Sequence, residues 1–188
     1  MMTSMVALKE WAVLVEALGS GKQLLLIRKG GIDDPEGAFQ LDHREFLLFP
    51  TQEHQQEACI RPEFHELFHR AAGVKEKGQT HVPLQVYAGV ACEKQVKDPM
   101  SLMALEKYHI WSRHFLEERG RYKPQLPTWV LVLRAYRLPK PFLHPLRPEY
   151  AGCRSWVELG GPLPLEGAEP VLDNRCFRAA LEEISSRF

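Results

Sequence analysis

Trp129 to Leu138, WVLVLRAYRL, decides the fold. The run is apolar at its centre and fenced by Pro127 and Pro139, and it reads as a strand. Working upstream, Asp98-Pro99 opens a helical region. Leu102, Leu105, His109, Phe115 and Leu116 recur there at mixed helical spacings, as two short helices or one kinked helix to Glu118 would place them. Before it, Leu84, Val86 and Val90 around Gly89 predict a bent or bulged strand within Val82 to Val96. The polar stretch from Lys75 to Thr80 reads as a loop. Pro62 to Ala72 (PEFHELFHRAA) predicts a helix with proline in its first turn and Gly73 at its end, and Glu45 to Phe49 predicts a short strand stopped by Pro50.

Nearer the start, WAVLVEAL (11–18) and QLLLI (23–27) flank Gly19-Ser20-Gly21-Lys22. We read them as an opening β-hairpin, the first run also being compatible with a short helix. Downstream of the deciding strand, prolines from Pro139 to Pro148 make an extended connector, and CRSWVEL (153–159) offers a last strand. Residues 160–170 read as a linker, and Asn174 to Arg187 as an amphipathic helix capped by Asp173 or Asn174. Five strands without regular βαβ alternation predict an α+β fold: a small, curled, mixed or antiparallel sheet or barrel, with helical insertions and a C-terminal helix. One domain is expected over 1–188, with its core at about 8–159, the linker at 160–170 and the C-terminal helix at 171–188.

The chain carries 24 Lys and Arg against 24 Asp and Glu, so no global field draws it to a polyanion, and nucleic-acid binding requires a local patch. Its four cysteines stand singly, with no CxxC pair, which fits reduced thiols rather than a disulfide framework or zinc knuckle. No apolar run is long enough to span a bilayer and no basic leader precedes one, so a cytoplasmic protein with no membrane partner is expected.

Three constellations carry chemistry. His65-Glu66-Leu67-Phe68-His69 is an HExxH on a predicted helix, where imidazoles four residues apart face one way and could hold zinc with Glu66 as base. Glu93 and Glu106 are candidate third ligands, while Glu63 and the cation of Arg70 beside His69 oppose a zinc site. The competing reading is a solvated helix face. Tyr108, His109, Trp111, Arg113 and His114 fall within about two helical turns, so an aromatic could stack on a base while Arg113 meets a phosphate. Buried aromatic packing is the plain alternative for Trp111.

The third is Arg28-Lys29-Gly30-Gly31, where two cations precede two glycines that let backbone amides approach an anion. It lacks the P-loop spacing, as does Gly19-Ser20-Gly21-Lys22. Asp33 or Asp34 with Glu45 supplies carboxylates, but no lysine completes a nuclease motif. No GxSxG elbow and no cysteine with an adjacent histidine appears. No cofactor is expected, and binding is favoured over catalysis.

Read together, ALKEWAVLVEALGSGKQLLLIRKGGI, FLLFPTQEHQ, LEKYHIWS and YAGCRSWVEL resemble the bacterial family catalogued as domain of unknown function 1802, across Leu8 to Leu159. The resemblance implies a context in restriction systems, beside nuclease domains of the Mrr type, and so DNA or a restriction-type nuclease as partner. The order FLLF, VYAGVACEKQV, helical insertion, WVLVLRAYRLPKP is also similar to PUA-like barrels of the EVE and ASCH kind, which implies RNA or modified-base reading. Under that likeness Arg28, Lys29, His43, His54, Gln55, His109, Trp111 and Trp156 face a shared cleft. The preferred expectation is a non-catalytic nucleic-acid recognition domain, with a modified or flipped base as a candidate ligand. A zinc hydrolase built on His65, Glu66 and His69, or a non-catalytic regulatory partner, are its rivals.

Overall fold

The computed structural model describes residues 3–30, 38–72, 80–152 and 154–188. Gly31, Asp33 and Asp34 of the first loop, the helix-ending Gly73, the polar stretch from Lys75 to Gln79 and Cys153 lie outside the described residues. Seven strands form one mixed sheet: β1 (Thr3–Trp11), β2 (Leu25–Arg28), β3 (Glu45–Thr51), β4 (His81–Val96), β5 (Thr128–Pro145), β6 (Trp156–Pro164) and β7 (Glu169–Pro170). Their order is β2-β5-β4-β3-β1-β6, with β7 added beside β5. β1 and β3 are parallel and the other pairings antiparallel. The helices are α1 (Ala12–Gly19), α2 (His65–Ala72), α3 (Arg113–Arg121) and α4 (Asn174–Ser185). None is long and apolar enough to cross a membrane.

Alternation along the strands sorts side chains to two buried faces. Val6 and Leu8, Phe46 and Leu48, Val86 and Ala88 join one core with α1, α3 and α4. Ala7, Leu47, Phe49 and Tyr87 join a second with Val157, Leu159 and Tyr150. The deciding run sits in β5 as expected; its pairing with β4 shifts register between Leu84 and Val86, where the extra residues are in β5, and between Val90 and Cys92, where β4 itself is bulged just past Gly89. α4 is capped by Asp173, whose side chain accepts the Cys176 N–H at 2.7 Å.

The opening hairpin is corrected. β1 precedes the run, and Ala12 to Gly19 is a helix buried at every residue except Glu16. An element enclosed on all sides is apolar all round, so neither period is written into it. Ser20 and Gly21 end it, with Gly21 at φ 73°, a conformation glycine adopts without strain. The predicted linker also carries strand, since β6 runs to Pro164 and β7 occupies Glu169–Pro170. The helical insertion is a 3₁₀ segment at Pro99–Tyr108, kinked at Leu105, followed by α3.

The sheet is not closed by pairing, yet its ends meet. Phe39 lies 6.2 Å from Trp156 of β6, stacked, and 6.4 Å from Trp129 of β5, edge-on. Phe46 and His43 pack edge-on against the same Trp156 at 5.1 and 5.0 Å. Such contacts add roughly 0.5–1.5 kcal/mol each beyond apolar burial. They hold the curl.

Two histidines sit in the packed regions. His109 is fully buried with Nε2 3.0 Å from the Leu102 carbonyl oxygen, and His144 is buried with Nε2 3.0 Å from the Tyr150 hydroxyl. Burial holds both below the ordinary imidazole value of 6.5, with Arg61 also acting on His109 and Arg147 on His144. The unfolded chain therefore takes up protons first, so stability is lost as pH falls through 6.5. Urea denaturation between about pH 7.5 and 5.5 is expected to show that loss, at most about 1.4 kcal/mol per pH unit for each group. The loss shrinks in the His109→Gln, His144→Gln double variant; an equal pH dependence in that variant contradicts the assignment.

Candidate functional site

β1 and β3 end side by side, with Glu10 opposite Pro50 and Trp11 opposite Thr51. The curl carries the end of β2 to the same place. Between them opens a cleft of about 390 Å³, walled by Lys9, Glu10 and Trp11, by Arg28 to Gly30, by Thr51, Glu53 and His54 after β3, by Trp111, Arg119 and Tyr122 of the helical insertion, and by Arg154 and Ser155 before β6. His54 holds φ at 61°, a left-handed conformation uncommon for a side chain of its size.

Among the described residues the charges lining this cleft do not balance. Arg28 makes an ion pair with Glu10 at 3.1 Å, its carboxylate 9% exposed, and donates to the Lys9 carbonyl oxygen. Glu10 also accepts the Trp11 N–H at 2.7 Å. Lys29 is buried and donates from Nζ to the carbonyl oxygens of Arg119 at 3.0 Å and Tyr122 at 2.8 Å, which satisfies the C-terminal end of α3. Burial and then the charge of Arg119 pull the Lys29 ammonium below the ordinary lysine range. Burial and then Arg28 do the same to Arg119. Among the described residues Arg28, Lys29, Arg119 and Arg154 thus line the cleft with Glu10 and the exposed Glu53, and Lys9 donates from Nζ to Gly152 O at 2.8 Å, in a chain whose formal charge is zero.

Unsatisfied donors gather in the same place. Among the described residues six buried side-chain N or O atoms lack a hydrogen-bond partner, and Arg28 Nε, Arg119 Nε and Trp111 Nε1 are three of them. All three are donors only, so what completes them is an acceptor. Trp111 stacks on Phe115 at 3.9 Å and is 2% exposed. The aromatic surface offered to the cleft therefore comes from half-buried Trp11 and from Tyr122, which is 37% exposed.

Of the residues expected from sequence, Arg28, Lys29, His54 and Trp111 meet at this cleft. Gln55 lies behind it, where Oε1 takes the Val13 N–H at 3.5 Å at the start of α1. His43 and Trp156 come together in the aromatic closure, with the Trp156 indole donating to Gln40 O at 3.1 Å. Tyr108 turns to α4, where its hydroxyl donates to Glu183 at 2.8 Å beside the Lys107 ion pair at 2.6 Å. His109 is in the core, and Arg113 is exposed and pairs with Glu117 at 3.1 Å.

His65 and His69 do share a helix face, but both turn to Glu57, at 3.2 and 2.8 Å. Glu66 is exposed, Glu93 pairs with Arg44, and Glu106 lies 3.8 Å from Arg61. No group of three His, Cys, Asp or Glu among the described residues is arranged to hold a metal ion. Sequence reasoning missed Glu10, Arg119, Tyr122 and Arg154. Their signal was charge and aromaticity, with Glu10 inside the ALKEW block, Arg154 inside GCRSWVEL and Arg119 and Tyr122 after LEKYHIWS, because the contacts between them arise from the curl.

A search of curated proteins finds no match to the chain. Among solved structures the ASCH protein of Zymomonas mobilis is similar in chain course, at a TM-score of 0.45 and 11% identity, covering 95% of this chain and 94% of that one. A serine-to-alanine mutant of it gives 0.45 at 11% identity over 98% of both chains, and a tyrosine-to-phenylalanine mutant 0.42 at 10% over 96% of both. These are distant likenesses, and what the cleft does is read from its own side chains. The profile of the family described as Domain of unknown function (DUF1802) matches residues 7–183, and the protein belongs to that family.

Proposed function

We propose that the cleft binds the phosphate backbone of a single-stranded nucleic acid, and that the protein is a recognition domain rather than a catalyst. The observation that carries this is one buried carboxylate, Glu10, paired with Arg28 and acting also on Arg119, while the neighbouring Lys29 meets only backbone carbonyl oxygens among the described residues. Cations held close together at partial burial repel one another and are costly unless an anion joins them. Guanidinium groups suit phosphate because their planar forks match its oxygens. Trp11 and Tyr122 beside them add faces on which bases can stack, which favours an open strand over a simple inorganic anion. Arg154, exposed at the mouth, is the outermost phosphate contact. A modified or unstacked base is compatible with this cleft, and cleavage in such a system falls to a restriction-type nuclease partner of the kind the family context implies.

Glu10→Gln removes the shared carboxylate and is expected to lower stability by roughly 3 kcal/mol. Millimolar inorganic phosphate restores part of that loss, read by thermal denaturation against chloride at equal ionic strength. A variant as stable as the parent, indifferent to phosphate, contradicts the under-neutralised cluster.

Fluorescence anisotropy with labelled single-stranded RNA and DNA and with duplex DNA tests the ligand. For a strand touching about three phosphates, affinity falls roughly 20-fold between about 50 and 200 mM salt. Arg154→Ala lessens the logarithmic salt slope by about 0.7, and Tyr122→Ala weakens binding by about 1–3 kcal/mol with little change in slope. Equal affinity for all probes that is blind to both substitutions sinks the proposal.

A further inference from the structure

A second and larger hollow lies on the other side of Lys9, Thr51 and Glu53, which belong to both. It measures about 670 Å³ and is bounded by α1, the end of β3, the N-terminal arm of β4 and the segment around Tyr150. That size falls within the usual range for small organic ligands. Its floor is apolar, with Val15, Phe49, Pro50, Val82, Val86 and Tyr150 among its lining.

Apart from the carboxylates of Glu16 and the exposed Glu53, the polar side chains within it are already engaged, Lys9 with Gly152 O at 2.8 Å. Arg137 donates to Gly19 O at 3.2 Å and to Gln85 Oε1 at 3.3 Å, and Gln85 donates to Leu138 O at 3.1 Å. Gln52 donates to Ala71 O and accepts from Gln55. A ligand body bearing many polar atoms would lose its water here without replacement bonds, at a cost of roughly 1–3 kcal/mol for each unmatched group.

The mouth has the opposite character. Arg70 is exposed and in no ion pair among the described residues. Among the described residues Arg147 has one ion pair, with Glu149 at 3.6 Å, and its guanidinium packs over Gly160; both side chains of the pair are about half exposed, so it is weak and can yield. Leu146 stands at the same rim, 41% exposed.

We infer that this chamber binds a small amphipathic anion: an apolar body, aromatic or acyl, seated on the floor, with one carboxylate, sulfonate or phosphate held at the rim by Arg70 and Arg147. Leu146 then covers the part of the body nearest the headgroup. The site is separate from strand binding in the cleft, and its test is separable too.

Anilinonaphthalene sulfonate fluorescence and calorimetry with decanoate and decanol, on the full chain, read the inference. One saturable site is expected, with decanoate bound at least about tenfold more tightly than decanol. Arg70→Gln with Arg147→Gln abolishes that preference while leaving decanol binding unchanged, and both positions are exposed, so folding is not at stake. Val82→Phe, which fills the floor, weakens both ligands, and Arg154→Ala weakens neither. Equal binding of acid and alcohol, an arginine pair without effect, no saturable binding, or self-association that excludes the dye each overturns the inference; the last assigns the chamber to a second copy of the chain. Loss of nucleic-acid binding with decanoate preference intact overturns only the reading of the cleft.

Discussion

Arg28 at the end of β2 lies 3.1 Å from Glu10 at the end of β1, although β5, β4 and β3 stand between their strands in the sheet. A flat sheet would hold β2 and β1 about 19 Å apart, at roughly 4.8 Å per strand step. The contact is possible only because the sheet curls until its ends approach. Phe39 performs the apolar half of the same task against Trp156 and Trp129, and the Arg28 guanidinium lies 5.9 Å above its ring. Ion pair and aromatic closure fix one another's geometry.

From that closure the electrostatics follow. Bringing β2 home delivers Lys29 to the C-terminal end of α3, and α3 in turn holds Arg119 against Phe115 and Tyr122, at 5.1 and 5.9 Å from their rings. Among the described residues, Arg28, Lys29 and Arg119 are thus fixed by backbone carbonyls, ring faces and a single carboxylate. Folding alone would favour a better balance, since an apolar residue at Arg119 would stack on Phe115 without burying charge. The proposed binding role accounts for an arrangement that gives up stability at one cleft, with three donor atoms unsatisfied there.

The parts of this design legible in the sequence are those written locally. WVLVLRAYRL lies in a strand, Asp173 caps a helix, and β4 is bulged just past Gly89, because apolar runs, caps and glycines act over a few residues. WAVLVEAL misleads for an equally physical reason: α1 is enclosed, so its sequence carries no period that separates helix from strand. β1, which includes buried Lys9 and Glu10, does not resemble an interior strand in composition, yet it pairs with both β3 and β6. In the site, RKGG names two of the cations, but Glu10, Arg119 and Arg154 are distant in the chain and are joined by closure of the sheet. The HELFH helix is legible as a helix, while the turn of both imidazoles toward Glu57 depends on a 3₁₀ segment that no pattern in the motif announces.

The account stands or falls on whether the unpaired donors of the cleft are completed by an anion. Side-chain ¹⁵N–¹H spectra, recorded while single-stranded RNA is added, report the arginine Nε–H and tryptophan Nε1–H groups directly. Arg28, Arg119 and Trp111 are predicted to shift downfield together and saturably, while Trp156, whose indole already donates to Gln40, stays in place. Shifts confined to Arg113 and other surface arginines, with those three donors unmoved, would contradict it.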